Sequence, residues 1–186
     1  MELKLFSKKQ TAEHFERLAG ECENKVYALC YHMMGNREDA LDCAQETMLR
    51  AFRAFDSFRR DAQFSTWISR IASNVCVDAL RKRREVYSLD GMQEDTGFDV
   101  QDDSPGVYAQ LEEKERKRLL REGLQALHPE MRQMIILRDV QGLSYDEVAE
   151  ALQLPLGTVK SRISRAREKL SAILRESSEL FSSRSV

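Results

Sequence analysis

The chain is predicted to be all-α, with two helical domains joined by a flexible acidic linker. Three observations predict it. Apolar residues recur at helical spacing along most of the 186 residues, and strand-like alternation is hard to find. Prolines stand only at positions 105, 129 and 155, and there are eight glycines, so few positions force a break. Charge is segregated: nine acids and no Lys or Arg lie between Glu85 and Glu113, whereas six basic residues and one acid lie between Val159 and Arg175. The net charge of −2 conceals this split. Phosphates respond to a local basic stripe and not to the sum.

The composition narrows the setting. The start, MELKLFSKKQ, carries no long apolar run, so no secretory signal is expected. No stretch approaches the about 20 apolar residues of a membrane span, so no membrane insertion is expected. Cys22, Cys30, Cys43 and Cys76 are scattered without a CxxC pair, and free Cys is usually a small buried hydrophobe. A reducing, cytoplasmic location follows as the expectation. His14, His32 and His128 lack metal-ligand spacing, so no metal and no cofactor are expected.

The first block runs to residue 85. Val26, Leu29, Cys30 and Met33 share one face of a helix that Gly35 stops and after which Asn36 caps the next. In that second helix Leu41, Ala44, Met48, Ala51, Phe52 and Phe55 form the expected apolar face, opposite Asp39, Asp42, Glu46, Arg50 and Arg53. DSFRRDAQFS reads as a loop with interleaved Phe58 and Phe64. Ser65 or Thr66 is the expected cap of a third helix carrying Trp67, Ile68, Ile71, Val75 and Ala79, with Trp67 in the core. Its end, Arg81, Lys82, Arg83 and Arg84, suits a helix dipole as well as it suits phosphates. Residues 86–108 are acidic, hold Gly91, Gly97, Pro105 and Gly106, and lack lasting periodicity, so they read as the linker.

The second block covers 109–186. A charged helix leads to His128-Pro129, and Pro129 suits the first turn of the next helix. Met131, Met134, Ile135 and Val140 give that helix its expected apolar face, with Gly142 at its end. Ser144 and Glu147 then make an S-x-x-E capping box. Val148, Ala149 and Leu152 face inward, Leu154-Pro155-Leu156-Gly157 breaks the chain, and Thr158 is the expected cap of a last helix. Val159, Ile163, Ala166, Leu170 and Leu174 are its buried stripe. Its remaining surface shows Lys160, Ser161, Arg162, Ser164, Arg165, Arg167 and Lys169. A helix that needs only solubility mixes signs. This one has the cations and hydroxyls of a major-groove recognition helix, though a basic helix in an all-helical core would carry a similar pattern.

At this point a family resemblance becomes specific. LHPEMRQMIILRDVQGLSYDEVAEALQLPLGTVKSRISRAREKL resembles region 4, the DNA-binding domain of bacterial sigma factors. DALDCAQETMLRAFRAFDSFRRDAQFSTWISRIASNVCVDALRKRRE resembles region 2 of the extracytoplasmic-function (ECF) group. Two such blocks in this order cover nearly the whole chain. The resemblance implies a sigma region 2 helical bundle over 1–85 and a sigma region 4 helix-turn-helix over 109–186.

It also implies a function. Such a factor binds core RNA polymerase (β′ and β subunits), recognises −10 and −35 promoter elements and helps open the DNA, without covalent catalysis. It places polymerase docking on Asp42, Gln45, Glu46, Met48, Leu49 and Arg50, a set that otherwise reads as an ordinary solvated face. It places −10 reading, with capture of an extruded base, on Phe58, Arg59, Arg60, Asp61, Phe64 and Asn74, with Arg81, Lys82, Arg83 and Arg84 on phosphates. Phe64 is also suited to packing under the loop. It places −35 reading on Thr158, Lys160, Ser161, Arg162, Arg165 and Arg167. An anti-sigma factor is the further partner it implies, and the acidic linker would serve as a tether or a nucleic-acid mimic.

Two readings from other classes compete. A stand-alone regulator would dimerise through the first block and bind a palindrome without polymerase. A serine recombinase would need an α/β domain with a nucleophilic Ser among Arg residues, and the first block shows neither.

Overall fold

The computed structural model describes residues 2–58, 63–90 and 109–182, with side chains over 10–58, 63–84 and 114–177. Among them every regular element is helical: α1 (Glu2–Met34), α2 (Arg37–Ala54), a 3-10 turn (Phe55–Ser57), α3 (Phe64–Asp90), α4 (Ala109–Ala126), α5 (Pro129–Ile135), a π turn (Ile136–Val140), α6 (Tyr145–Leu152) and α7 (Leu156–Ser182).

Local chemistry explains most boundaries. Gly35 takes φ +83°, a left-handed conformation that ends α1 without a Cβ penalty. The Asn36 side chain accepts from the Asp39 N–H at 2.9 Å and starts α2. Pro129 opens α5, where its missing N–H costs nothing. Gly142, at φ +76°, turns the chain after the π turn. The capping box is complete, because Ser144 Oγ accepts from the Glu147 N–H while Glu147 Oε2 accepts from the Ser144 N–H at 2.7 Å.

Four local expectations are corrected. The third helix begins at Phe64, so neither Ser65 nor Thr66 caps it, and the Thr66 hydroxyl donates to Glu147 instead. The last helix begins at Leu156, which puts Thr158 inside the first turn. Residues 86–90, expected in the linker, continue α3, and 91–108 lie outside the described residues. Val140, expected inward, is 41% exposed because the π turn rotates it away.

Helices α1, α2 and α3 form one bundle around Val26, Leu29, Cys30, Met33, Ala40, Ala51, Ile68 and Ala72. Helices α4 to α7 form the second unit. The two share one core, since Met134, Ile136, Leu137, Val148, Val159 and Ile163 continue the cluster begun by the first bundle. Helix α5 and the start of the π turn are central to this, with Arg132 to Leu137 all buried. A helix wrapped on all sides would normally be apolar throughout. Here two members are polar, and both turn toward the other unit. The four cysteines are buried free thiols, and no described helix is long and apolar enough to cross a membrane.

Candidate nucleic-acid interface

Three surfaces hold the candidate residues. The first is on α2. Ala40, Cys43, Thr47 and Ala51 are its buried stripe, and the Thr47 hydroxyl donates back to the Cys43 carbonyl at 2.6 Å. Of the apolar face expected from the sequence, Ala44, Met48, Ala51 and Phe55 lie in the core or against it, whereas Leu41 and Phe52 do not. Leu41 is 41%, Leu49 52% and Phe52 51% exposed, and with Gln45 they fall at i, i+4, i+8 and i+11, one ridge of a helix. Asp42 flanks that ridge and is exposed, while Met48 is half-buried beside it. Glu46 and Arg50 are set apart: Arg50 donates to Glu46 at 2.6 Å and to Asp78 on α3 at 3.3 Å. Small buried residues let α2 pack closely on its neighbours while Leu41, Leu49 and Phe52 point outward. A hydropathy pattern alone cannot tell these outward apolar side chains from inward ones.

The second surface lies between the 3-10 turn and α3. Phe55, Phe58, Phe64 and Trp67 form an aromatic cluster, with Phe58 5.2 Å from Trp67 and 5.4 Å from Phe64 between ring centroids. Phe55 and Phe64 are the buried members, packed also against Phe15 at 5.2 and 6.1 Å. Phe58 and Trp67 are half-buried above them, so Trp67 does not lie wholly in the core. Arg59, Arg60 and Asp61 lie outside the described residues. Further along α3, Asn74 is exposed but its Oδ1 accepts from Gln133 at 3.3 Å. Arg81 pairs with Glu130 at 2.5 Å and Arg83 with Asp39 at 3.1 Å, while Lys82 and Arg84 are exposed. The Arg81 hydrogen bond holds the Glu130 carboxyl below the ordinary range, and the nearby Arg162 charge adds to it.

The third surface is α7. Val159, Ile163 and Ala166 are fully buried, which fixes the helix against the rest of the unit. Thr158, Arg162, Arg165 and Lys169 then lie along one outward ridge at i, i+4, i+7 and i+11. Ser161 adjoins that ridge, and Lys160 stands on the opposite flank, exposed. Arg167 is turned away to Asp139 on the π turn, at 3.0 Å from Nε and 2.5 Å from Nη2. A row of three cations on one side of a helix seated by a capped helix-turn-helix can follow a phosphate backbone and reach base edges. Among the described residues no cluster of His, Cys, Asp or Glu is arranged for a metal ion.

Polar groups at the junction of the two units went unnoticed in the sequence. Gln125, Arg132 and Gln133 are the ones that matter. Their only sequence signal is their place among apolar neighbours in α4 and α5.

Comparisons with known proteins agree with this arrangement. The model described as Sigma-70 region 2 matches residues 18–86, and that described as Sigma-70, region 4 matches residues 109–170. The chain is 36% identical over 174 residues to the ECF RNA polymerase sigma factor SigW of Bacillus subtilis, covering 91% of this chain and 93% of that protein. It is 35% identical over 162 residues to the ECF RNA polymerase sigma-E factor of Escherichia coli, 84% of each. Among solved structures it resembles the sigma factor RpoE in complex with the anti-sigma factor NepR from Bartonella quintana. That match has a TM-score of 0.72 at 26% identity and covers 88% of this chain and 98% of that one.

Proposed function

The chain belongs to the ECF group of sigma factors, the promoter-recognising initiation factors of RNA polymerase, and on that premise we propose how its three surfaces divide the work. Domain limits follow the same reading: a region 2 unit up to about residue 85–90, a connecting segment, and a region 4 unit from Ala109. The factor acts in the cytoplasm, and its work is binding and DNA opening with no covalent step.

Polymerase docks on α2. The observation that carries this is the exposed ridge of Leu41, Gln45, Leu49 and Phe52 with Asp42 beside it. Large apolar side chains on a helix surface are unfavourable in water unless a partner covers them. The flanking carboxylate suits a basic or hydrogen-bonding partner helix. Gln45, Met48, Leu49 and Asp42 are the contact residues, with Glu46 and Arg50 fixing the rim.

The −10 element is read at the aromatic cluster and along α3. Extruding a base costs a few kcal/mol, and stacking returns about 1–3 kcal/mol per base. Phe58 and Trp67 are accessible enough to stack on such a base, whereas Phe64 supports them from below. Arg59, Arg60 and Asp61 belong to the same loop by sequence. Asn74 supplies hydrogen bonds, and Arg81, Lys82, Arg83 and Arg84 hold phosphates. The −35 element is read by α7, with Arg162 and Arg165 on base edges and Thr158, Lys160 and Ser161 on the backbone. Arg167 serves α7 from behind through Asp139. An anti-sigma factor, as in the RpoE complex with NepR, is the expected regulator.

The test is run-off transcription with purified core polymerase, with and without the protein, on a library of random promoter fragments. Initiation that depends on the protein is the expected result, and the enriched fragments then define both elements. A protein that footprints a symmetric site alone and starts no transcript would overturn the reading of α2.

A further inference from the structure

Three of the four cysteines meet where α1, α2 and α3 pack on one another. Each helix brings one: Cys30 from α1, Cys43 from α2 and Cys76 from α3. All three belong to one buried cluster, with Cys30 and Cys76 at 0% and Cys43 at 5% exposure. The Cys76 thiol is hydrogen-bonded to both of the others. The fourth, Cys22, stands two turns before Cys30 on α1, about 12 Å away along the helix axis. A single buried cysteine is usually a small hydrophobe. Thiols in hydrogen-bond contact across separate helices are also within reach of one another chemically, since only side-chain rotation and a small approach of the helices separate them from a covalent S–S bond.

The three thiols are not equivalent. Cys43 is the most reachable of them. The hydrogen bond from Cys76 draws its pKa down, against burial and the Asp39 and Asp42 charges, and the Arg50 guanidinium helps. Arg50 is kept at this seam by Glu46 and by Asp78 on α3. Cys76 is pushed the other way, by its bonds to Cys30 and Cys43 and by burial. The proton therefore rests on Cys76, and negative charge, when it forms, rests on Cys43. A sulfur that ionises beside one that keeps its proton is the division of labour that an attacking and a resolving cysteine need.

We propose that Cys43 and Cys76 are a reversible redox site, oxidised by a hydroperoxide to a disulfide that fastens α2 to α3, with Cys30 as the exchanging thiol. The Cys43 sulfur attacks one peroxide oxygen and the O–O bond breaks. The products are Cys43 sulfenic acid and water, or an alcohol from an organic peroxide, which takes up the Cys43 proton. The Cys76 sulfur then attacks the Cys43 sulfur, and the hydroxyl leaves as water with the Cys76 proton. Two thiols have lost two electrons and the peroxide has gained them. Cys30 can next attack Cys76, which moves the bond to α1–α3 and frees Cys43 with no further change in oxidation state. In a reducing compartment such bonds are transient and serve sensing. Cys43 lies on the buried stripe of α2, away from Leu41, Leu49 and Phe52. The bond therefore forms behind the exposed ridge, whatever partner covers it.

The test treats the reduced full chain with hydrogen peroxide, blocks the remaining thiols with iodoacetamide in denaturant and maps the peptides by mass. A Cys43–Cys76 link should appear, Cys22 and Cys30 should be alkylated, and dithiothreitol should restore all four thiols. The linked chain should stay folded and melt about 5 °C higher, because the bond restricts the unfolded chain. Cys43→Ala should slow oxidation of Cys76 at least about tenfold. In Cys76→Ala, Cys43 should stop at the sulfenic acid and be trapped by dimedone. Four free thiols in peroxide that fully oxidises glutathione in the same tube would overturn the proposal. So would a link that forms only after denaturant is added, or undiminished oxidation of Cys76 in Cys43→Ala. The parent's own peptide map decides between these outcomes however well the variants fold.

Discussion

Arg167 grips Asp139 with two nitrogens, Nε at 3.0 Å and Nη2 at 2.5 Å, and its Nη1 reaches the Tyr145 hydroxyl at 3.4 Å. This ties α7 to the π turn and to the first helix of the helix-turn-helix. Asp139 keeps the guanidinium firmly charged. Tyr145 in turn lies under Arg138, whose guanidinium carbon is 4.8 Å from the ring centroid. The basic surface of α7 therefore has two parts, an outward ridge and a residue that braces the ridge from behind.

The two parts should separate by mutation. Arg165→Ala should weaken holoenzyme binding to a −35 fragment by about 1–3 kcal/mol, the usual loss for a base-edge contact, and leave the melting temperature unchanged. Arg167→Ala should do the reverse. The pair is partly exposed, so the stability loss should stay within about 1 kcal/mol, and base preference should be kept. Thermal melts and gel shifts on single-base variants of the fragment check both. A changed base preference in Arg167→Ala would put that side chain on the DNA after all.

The ridge on α2 gives a second prediction. Leu49 is 52% exposed and packs little in the free chain. Leu49→Asp should therefore cost stability no more than about 0.5 kcal/mol. If polymerase covers the ridge, the same change should weaken core binding at least about tenfold, or 1.4 kcal/mol. Competition against a labelled parent factor for core polymerase measures it. Unaltered competition would remove Leu49 from the contact.

How far the sequence could be read follows from such residues. Asn36, Gly35, Pro129, Ser144 and Glu147 act locally, each through its own backbone geometry or one neighbour, so their roles were legible. The inward face of α2 was legible only in part. Ala51 is buried as expected, but Leu41 and Phe52 look like core and are exposed, while Ala40, Cys43 and Thr47 complete the buried stripe, because close helix packing selects small side chains where hydropathy ranks large ones. Thr66 has the chemistry of a cap, but its partner is Glu147, 81 residues away. Gln125, Arg132 and Gln133 depend on carbonyls and hydroxyls of the other unit, and no local pattern announces a partner at that distance. The ridge of α7 stood out because cations and hydroxyls recur there with a helical period. Arg167 belongs to that list by composition, and in the fold its guanidinium is paired with Asp139, a partner 28 residues away that no local pattern announces.

The aromatic cluster divides in the same manner. Phe64 is buried at the bottom, and Phe58 rests half-buried on it and on Trp67. Phe64→Ala should cost about 3–5 kcal/mol of stability through the cavity left behind. Phe58→Ala should cost less stability and should reduce promoter opening by about 1–3 kcal/mol, the value of one stacked base. Permanganate reactivity of −10 thymines in the holoenzyme complex, read beside a denaturant melt, tests this. Full opening by Phe58→Ala would exclude a stacking role.

The last prediction concerns pH, and it turns on His32. Burial and the Arg121 charge both lower its pKa below the ordinary histidine range of about 6.5. Arg121 is kept close by the Tyr31 ring, 5.5 Å from its guanidinium carbon. In the unfolded chain His32 takes up its proton near pH 6.5, whereas the folded chain resists until lower pH. Between these values the unfolded state binds more protons, so stability falls as pH falls. Glu130 and Glu147 have depressed carboxyl pKa values, so their contributions are complete above about pH 4.3 and fade only in more acidic solution. From pH 7.5 down to about 5.5 the acid sensitivity of this corner therefore belongs to His32. Urea melts should show a falling midpoint across that window, flattened in His32→Asn. Arg121→Gln, which removes the repelling charge, should make the fall shallower without abolishing it. An identical pH slope in the parent and His32→Asn would assign the sensitivity to another group and leave the His32 carbonyl as the residue's sole role at the junction.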